Sequence, residues 1–477
     1  MCRGIPTLLL LLLLSALLLY CINSDLLMQN YDSRFVLFAF LWCGLVALLG
    51  YLSTRPRAVL LLDYACFLPD VDRKCGLEVC EYFVRRTGRY SGASEDFMSS
   101  IYRKSGLGGE TYVPAFIFRG ETEAGLVAAR EEAEEGMTLA VDQLLAKTGV
   151  PVSAVDLLVV ACGMFAPSPS LAAVLLRRYG LPESTAAYNL SGMGCSSGVS
   201  AVDLAARVLR GSRRRVRYAL VVVTESIGPN WYFGDDRSML VTNCIFRVGG
   251  AAVLLTNDPA QRGAARMELV RSLRTHHGAD DASYRAAFQQ EDEAGTTGVA
   301  LRKDLIRVAG AGLRAHIRSL APKVLPWSQL LLYTYQTLTT ANWRQQAAAA
   351  DPDKQADDVA AVPDFRRAFE HMCVHTGGKA VIEAVGRLMR LEEEVTEAAR
   401  MTLHRFGNTS SSLVLYELAY LDAKGRVKRG DRVWMLAFGT GFKVCSLVWR
   451  ALRDSAMDAA GDNPWKDCIH RYPLKAW

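Results

Sequence analysis

The stretch Asn189-Leu-Ser-Gly-Met-Gly-Cys195-Ser-Ser-Gly198 surrounds one cysteine with small residues. Small neighbours let the chain turn tightly and let a substrate approach the sulfur closely. The segment that follows, Val199-Ser-Ala-Val-Asp-Leu-Ala-Ala206, is apolar on nearly every face and predicts a buried helix. Cys195 then sits at a helix N-terminus, where the positive end of the dipole favours thiolate and predicts a pKa below the roughly 8.5 of free cysteine. That placement makes Cys195 a candidate nucleophile. Inertness is the default for the rest of the chain's 12 cysteines.

A nucleophile needs partners that move protons and stabilise charge, and only 7 histidines are available. His371 and His375 have the i, i+4 spacing of a helical metal pair. Met372-Cys373-Val374 reads as strand, however, Gly377-Gly378 follows at once, and no third ligand is near, so a metal site is disfavoured. His375, at the strand end, is the catalytic candidate, and His371 reads as structural. A third element is Arg405-Phe-Gly-Asn408-Thr-Ser-Ser-Ser412: its amide can donate to a developing oxyanion, although Asn before Thr-Ser is most often a helix cap. The turn Phe438-Gly439-Thr440-Gly441-Phe442 can offer backbone N–H groups, a weak signal by itself. The cluster His276-His277-Gly-Ala-Asp280-Asp281 reads equally as a surface loop or as a functional one.

The elements that must carry these residues alternate short β-like runs with helical ones, the pattern of an α/β protein. The same order occurs twice. A strand at 156–162 precedes a helix at 170–179; an extended run then ends at Cys195 and enters a helix at 197–210, followed by strands at 219–224 and 251–255. In the second half a strand at 370–375 precedes a helix at 379–391. The run 401–406 then ends at Asn408 and enters a helix near 411–418, with strands at 433–438 and 444–448. The expectation is a duplicated α/β unit whose chemistry lies at strand ends. The halves are drawn at 55–264 and 265–455.

Composition bounds the rest. Of 477 residues, 51% are hydrophobic and 22% charged, which excludes a disordered chain. A net charge of +6 is mild for this length and lacks the dense basic stripe of a nucleic-acid binder. Residues 7–22 and 35–52 are uncharged and strongly apolar, near the roughly 17–20 residues of a membrane-spanning helix. A helical hairpin over 1–54 is expected. A cleaved signal peptide is the alternative for 1–22, but Asn23-Ser24-Asp25 is a poor cleavage site. Arg3, Arg55 and Arg57 flank the hairpin, which puts both ends in the cytosol and leaves the sequons at Asn189 and Asn408 bare. Three segments fit the duplication poorly. Residues 347–362 read as an insertion or linker, and 456–477 as a polar tail. The run 324–338, with Trp327, Tyr333 and Tyr335, reads as a packed helix, the alternative being one lying on a membrane interface. Arg213, Arg214, Arg215 and Arg217 read as a solvated turn, with the phosphates of an anionic cofactor as the competing partner.

Taken together, these motifs resemble the plant-type 3-ketoacyl-CoA synthases, the condensing enzymes of very-long-chain fatty acid elongation. The resemblance spans nearly the whole chain. It includes the paired apolar segments, Ser105-Gly-Leu-Gly-Gly-Glu-Thr-Tyr112, the Asn189–Ser197 motif, the run from Asp236 to Gly250, Arg274–Asp281, Phe369–Gly378, Arg405–Ser412 and Ala437–Lys443. It implies a duplicated thiolase-like fold preceded by two transmembrane helices, with Cys195 as nucleophile and His375 and Asn408 as its partners. His276, His371 and His404 match family histidines of lesser-known role. The implied substrates are acyl-CoA and malonyl-CoA, with neither metal nor redox cofactor. A homodimer at the endoplasmic reticulum membrane, its catalytic domain cytosolic and joined by the elongase reductase and dehydratase, is the implied setting. The competing readings are a polyketide-type or thiolase-like enzyme on another acyl thioester, a cysteine hydrolase, and a non-catalytic membrane-anchored subunit.

Overall fold

A computed structural model describes residues 41–46, 57–119, 125–212, 217–350, 363–375, 377–455, 462–475 and 477. The chain divides into two units, Met1–Arg57 and Ala58–Trp477. Of the expected hairpin only 41–46 falls within the described residues, and it is helical. No helix among the described residues is long and apolar enough to cross a membrane.

The larger unit is built on nine strands: β1 (Leu60–Cys66), β2 (Val155–Cys162), β3 (Ala186–Ser191), β4 (Tyr218–Thr224), β5 (Gly250–Thr256), β6 (Met267–His276), β7 (His371–Val374), β8 (Arg432–Gly439) and β9 (Lys443–Ala451). They form one sheet in the order β7-β8-β9-β6-β1-β5-β4-β2-β3. The duplication is visible in the pairing. In the first half β2 runs parallel to β4, β4 antiparallel to β5, and β5 antiparallel to β1. In the second, β7 runs parallel to β8, β8 antiparallel to β9, and β9 antiparallel to β6. The halves meet where β1 pairs with β6.

Eight helices matter here: α1 (Leu126–Thr148), α2 (Leu171–Tyr179), α3 (Ser197–Gly211), α4 (Leu305–Val324), α5 (Trp327–Ala350), α6 (Lys379–Met389), α7 (Glu397–Phe406) and α8 (Leu413–Ala423). Strand side chains alternate between faces. Leu157, Val159 and Ala161 of β2, with Val433, Met435 and Ala437 of β8, share one core with α3 and α8. The alternate residues Leu158, Val160 and Cys162 face α1 and α2, and Trp434, Leu436 and Phe438 face α4 and α6. Thus α3 and α8, which follow Cys195 and Asn408, are packed against strands of both halves. Both are buried nearly all round, as the apolar sequence of α3 predicts.

Three expectations need correction. The run 401–406 is not extended but the end of α7. Ala, Arg, Met and Leu are good helix formers, and Ala398, Ala399, Met401, Thr402, Leu403, Arg405 and Phe406 are all buried. Among the described residues the second half therefore has no counterpart of β3. In the run 324–338, Val324 ends α4 and residues from Trp327 start α5, which is not packed on all sides: Trp327, Leu331, Tyr335 and Leu338 are 81%, 69%, 68% and 62% exposed. The C-terminal segment is docked rather than a loose tail. Trp465 is fully buried against Phe406, Tyr420 and Tyr472, and Trp477 donates to the Gly106 carbonyl at 3.1 Å. Of the expected insertion or linker at 347–362, residues 347–350 end α5 and 351–362 lie outside the described residues.

Candidate active site

Cys195 lies in a 3-10 turn, Gly194–Ser196, that enters α3. Gly194 has φ +55, a region open to glycine at little cost. It also gives clearance, since a Cβ there would lie 2.8 Å from the Thr440 nitrogen. The turn at 439–441 is thereby seated against the cysteine turn: a Cβ on Gly439 would fall 2.4 Å from the Met193 carbonyl oxygen, and Thr440 Oγ1 donates to the Gly192 carbonyl at 3.2 Å. Gly441 has φ +64.

The electrostatics differ from expectation. Cys195 keeps partial solvent access, yet burial of the thiol pushes its pKa up to about 12. A hydrogen bond from Ser410 opposes this, and the nearby Glu225 carboxylate adds to it. The helix dipole does not dominate because Cys195 precedes the N-cap, Ser196, and the dipole's influence is confined to the terminal turn. The resting group is therefore a thiol that needs a base.

Asn408 sits on the matching turn of the second half. It forms a parallel bridge with Phe246 and is 1% exposed. Its carbonyl accepts the Arg247 N–H at 2.9 Å, and its own N–H donates to the Ile245 carbonyl at 3.1 Å. Its Oδ1 accepts the Ser410 N–H at 2.9 Å, which leaves Nδ2 as the side chain's donor. Ser410 opens the 3-10 turn Ser410–Ser412 that enters α8 and has φ +55. Its Oγ lies 3.4 Å from Cys195 Sγ and 2.6 Å from Glu225 Oε2. The asparagine turn thus delivers a hydroxyl to the sulfur. The two turns also touch directly: a Cβ on Gly198 would lie 2.3 Å from the Ser411 carbonyl oxygen.

His375 follows β7 and is 2% exposed. Its N–H donates to the Leu436 carbonyl at 2.8 Å, while Nδ1 is buried with no hydrogen-bond partner among the described residues. Burial pushes its pKa down to about 4, so the ring is neutral at physiological pH. An orphaned buried ring nitrogen is costly unless a ligand satisfies it. One residue before it, the Val374 N–H donates to Glu417 of α8 at 2.7 Å, and burial raises the Glu417 pKa well above its usual value.

Residues 51–342 match the family model described as FAE1/Type III polyketide synthase-like protein, and 367–451 match that of the 3-Oxoacyl-[acyl-carrier-protein (ACP)] synthase III C terminal. Among curated proteins, 3-ketoacyl-CoA synthase 4 of Arabidopsis thaliana is 44% identical over 435 residues, covering 91% of this chain and 81% of that protein. Its namesake 3-ketoacyl-CoA synthase 17, from the same plant, is 44% identical over 432 residues, covering 91% and 86%. The chain belongs to the 3-ketoacyl-CoA synthase family. Among solved structures, CsyB complexed with CoA-SH aligns with a TM-score of 0.64 at 20% identity, covering 82% of this chain and 100% of that one. The type III polyketide synthase domain of Steely1 from Dictyostelium aligns at 0.63 and 17%, covering 83% and 99%. At such identities these likenesses establish the thiolase-like fold of this synthase-family chain.

Two family motifs acquire physical meaning as braces for Asn408. Arg247 is almost fully buried and donates to Thr111 Oγ1, the Cys244 carbonyl and the Phe246 carbonyl at 2.9, 3.1 and 2.7 Å, while its backbone holds Asn408. Gly407, at φ +68, makes room for it: a Cβ there would lie 2.3 Å from Arg247 Cγ. The 105–112 stretch clamps the other side. Gly108 donates to the His404 carbonyl at 2.8 Å, and Arg405 donates to the Glu110 carbonyl at 2.6 Å and to Tyr112 Oη at 2.8 Å.

The supporting histidines separate. His404 bonds Tyr472 Oη through Nδ1 at 2.9 Å, tying α7 to the C-terminal segment. His371 lies at the opposite end of β7 from His375 and pairs with Asp431 at 2.9 Å. His276 is exposed at the end of β6, opposite Lys443 beside the 439–441 turn; partial burial and then Lys443 lower its pKa. The sequence reading missed Glu225 and left Ser410 without a role. A signal existed for the first, since an acid directly after the all-apolar run Ala219–Val223 and Thr224 is costly to bury. Of the arginine cluster only Arg217 is described, and its N–H donates to Asp156.

Proposed function

We propose that this chain catalyses decarboxylative Claisen condensation of a long-chain acyl-CoA with malonyl-CoA, yielding 3-ketoacyl-CoA, CoA and CO2. The observation that carries the reading is the meeting of the two turns at Cys195 Sγ, in a chain whose buried, neutral His375 keeps an unpartnered ring nitrogen. Cys195 thiolate attacks the acyl-CoA carbonyl, expels CoA and holds the acyl group as a thioester. Malonyl-CoA then loses CO2, and its thioester oxygen becomes an enolate. Neutral His375 and Asn408 Nδ2 supply N–H donors to that oxygen, stabilising charge as it forms. The enolate carbon attacks the acyl-Cys195 carbonyl, whose oxyanion is received by backbone N–H groups of Cys195 and of the turn holding Gly439 and Gly441. Collapse releases a chain two carbons longer. All of these donors and the nucleophile belong to this chain, and the substrates are the two CoA thioesters.

The proposed setting is the endoplasmic reticulum membrane with the larger unit cytosolic. The uncharged runs 7–22 and 35–52 support it, and so does the exposed apolar face of α5. A homodimer working with the elongase reductase and dehydratase completes the proposal. Membranes carrying the chain, supplied with labelled malonyl-CoA and an acyl-CoA series, test it through product length. A product exactly one C2 unit longer is expected before any reduction. Multiply extended polyketides, or free acid alone, would overturn the reading in favour of a polyketide synthase or a hydrolase.

A further inference from the structure

α5 is docked the wrong way round for a helix in water. From Val324 to Trp343 no residue is charged. At about 100° per residue, Trp327, Leu331, Tyr335 and Leu338 fall within about 80° of one another around the helix. These are the side chains left outside, 81%, 69%, 68% and 62% exposed. Gln329 lies on the opposite side and is buried, and Tyr333 packs against the core that faces α4 and α6. A surface helix of a soluble protein buries its apolar stripe and shows its polar one. Here the assignment is reversed.

The sheet fixes where this stripe begins. Leu60 of β1 pairs with Glu268 of β6, Glu268 with Arg450 of β9, and Arg450 with Arg432 of β8. The Arg432 guanidinium donates to the carbonyl of Val324, the last residue of α4, at 3.0 Å, and α5 begins at Trp327. The start of α5 and the point where the chain enters β1 therefore share one end of the sheet. The candidate site lies at the other end, where β8 finishes at Gly439. Residues 53–57 alone separate the uncharged run 35–52 from Ala58, a reach of about 20 Å at most. Lys323, Lys428 and Arg429 are exposed around this end and have no ion pair among the described residues. Of the acids there, Glu268 is paired with Arg450 at 2.6 Å and Asp431 with His371 at 2.9 Å, while Glu370 and Asp454 accept the backbone N–H groups of Arg432 and Arg429.

We propose that the stripe of Trp327, Leu331, Tyr335 and Leu338 is a second membrane contact, lying at the headgroup level of the bilayer that the N-terminal uncharged runs enter. The inference rests on the membrane setting proposed above and adds a contact made by the catalytic unit itself. Leucine with Trp and Tyr, set among uncharged Ser, Thr and Gln, suits a depth where apolar bodies sink and polar tips stay wet. The exposed cations at the same end complement anionic headgroups. A unit held by one short linker can swivel on it. A second contact fixes which face it turns to the lipid.

The test uses the full-length protein in vesicles of phosphatidylcholine and phosphatidylserine, with some of the phosphatidylcholine carrying a diazirine near the headgroup end of its acyl chain. After illumination, lipid adducts are mapped by peptide mass spectrometry. Adducts on 327–338 should exceed those on Val71 and Tyr82, which are 75% and 63% exposed elsewhere on the unit, by about tenfold or more. Adducts in 7–22 and 35–52 report the membrane setting separately. Labelling there with none on α5 would overturn the second contact and leave the setting intact, whether water, the N-terminal segment or a second copy of the chain covers the stripe. Labelling in neither region would overturn both. Equal labelling of α5, Val71 and Tyr82 would mean incidental collision and would overturn the contact too. The combined variant Trp327→Ser, Leu331→Gln, Tyr335→Gln, Leu338→Gln should lose the α5 adducts by about tenfold, while those in 35–52 and the rate of malonyl-CoA decarboxylation stay at the parental level. Adducts on α5 undiminished in that variant would show that the stripe is not what meets the lipid.

Discussion

The turn that carries Cys195 and the turn that carries Asn408 are built alike and used differently. Each is a 3-10 turn, Gly194–Ser196 or Ser410–Ser412, entering a buried helix, and each opens on a residue with φ +55. In the first half that residue is glycine, and the missing side chain gives the 439–441 turn its seat. In the second half it is serine, and the hydroxyl reaches both Cys195 and Glu225. Counted from the turn, Asn408 corresponds to Gly192 rather than to Cys195. Duplication supplied one backbone device twice; one copy serves clearance and the other a proton-bearing side chain.

If the halves divide the labour in this way, their variants should separate two partial reactions. Cys195→Ala should abolish acyl-enzyme formation, read as loss of label from acyl-CoA, while malonyl-CoA decarboxylation survives in Cys195→Gln, whose amide imitates the acyl thioester. Labelled protein recovered from Cys195→Ala would move the nucleophile elsewhere.

The converse loss should be nearly as large. His375→Ala and Asn408→Ala should each lower malonyl-CoA decarboxylation by roughly a hundredfold or more, as expected for removing a preorganised oxyanion donor, yet still form the acyl-enzyme. Parental decarboxylation by the His375 variant would remove that ring from the mechanism.

A smaller effect concerns the ionisation of His375. Burial pushes its folded pKa down to about 4 while the unfolded chain keeps the ordinary value of about 6.5. Within that window the unfolded state binds the extra proton, so His375 costs stability as pH falls and nothing above it. Denaturant titrations should therefore show the parent losing stability relative to His375→Asn between about pH 6.5 and 4. Parallel curves would mean that the ring is already charged in the folded protein.

The smallest effect compares the turns directly. Ser410→Gly makes the second turn like the first and relieves a non-glycine residue at positive φ, a strain of about 1 kcal/mol or more. Part of the gain is offset by the greater freedom of glycine in the unfolded chain. A rise of about 1 kcal/mol or less in unfolding free energy, accompanied by slower acylation, is expected. A less stable variant would show that the hydroxyl's hydrogen bonds outweigh the strain.

Local sequence determined the strand–helix alternation, the repeat and the cysteine turn, because each depends on spacing over a few residues. Glycines around Cys195, apolar runs in β2, β4 and β8, and Gly377-Gly378 after His375 are all short-range signals. α7 was illegible because periodicity over a run as short as 401–406 does not separate strand from helix, and the C-terminal docking because Trp465 finds its partners far away in sequence. The thiol's proton affinity belonged wholly to the tertiary structure. A helix N-terminus is written in local sequence, but desolvation of Cys195 and the approach of Glu225 and Ser410 arise only when strands and turns from both halves close around the sulfur. Ser410 stands 215 residues from Cys195 in the chain, so its contact with the sulfur is a property of the fold.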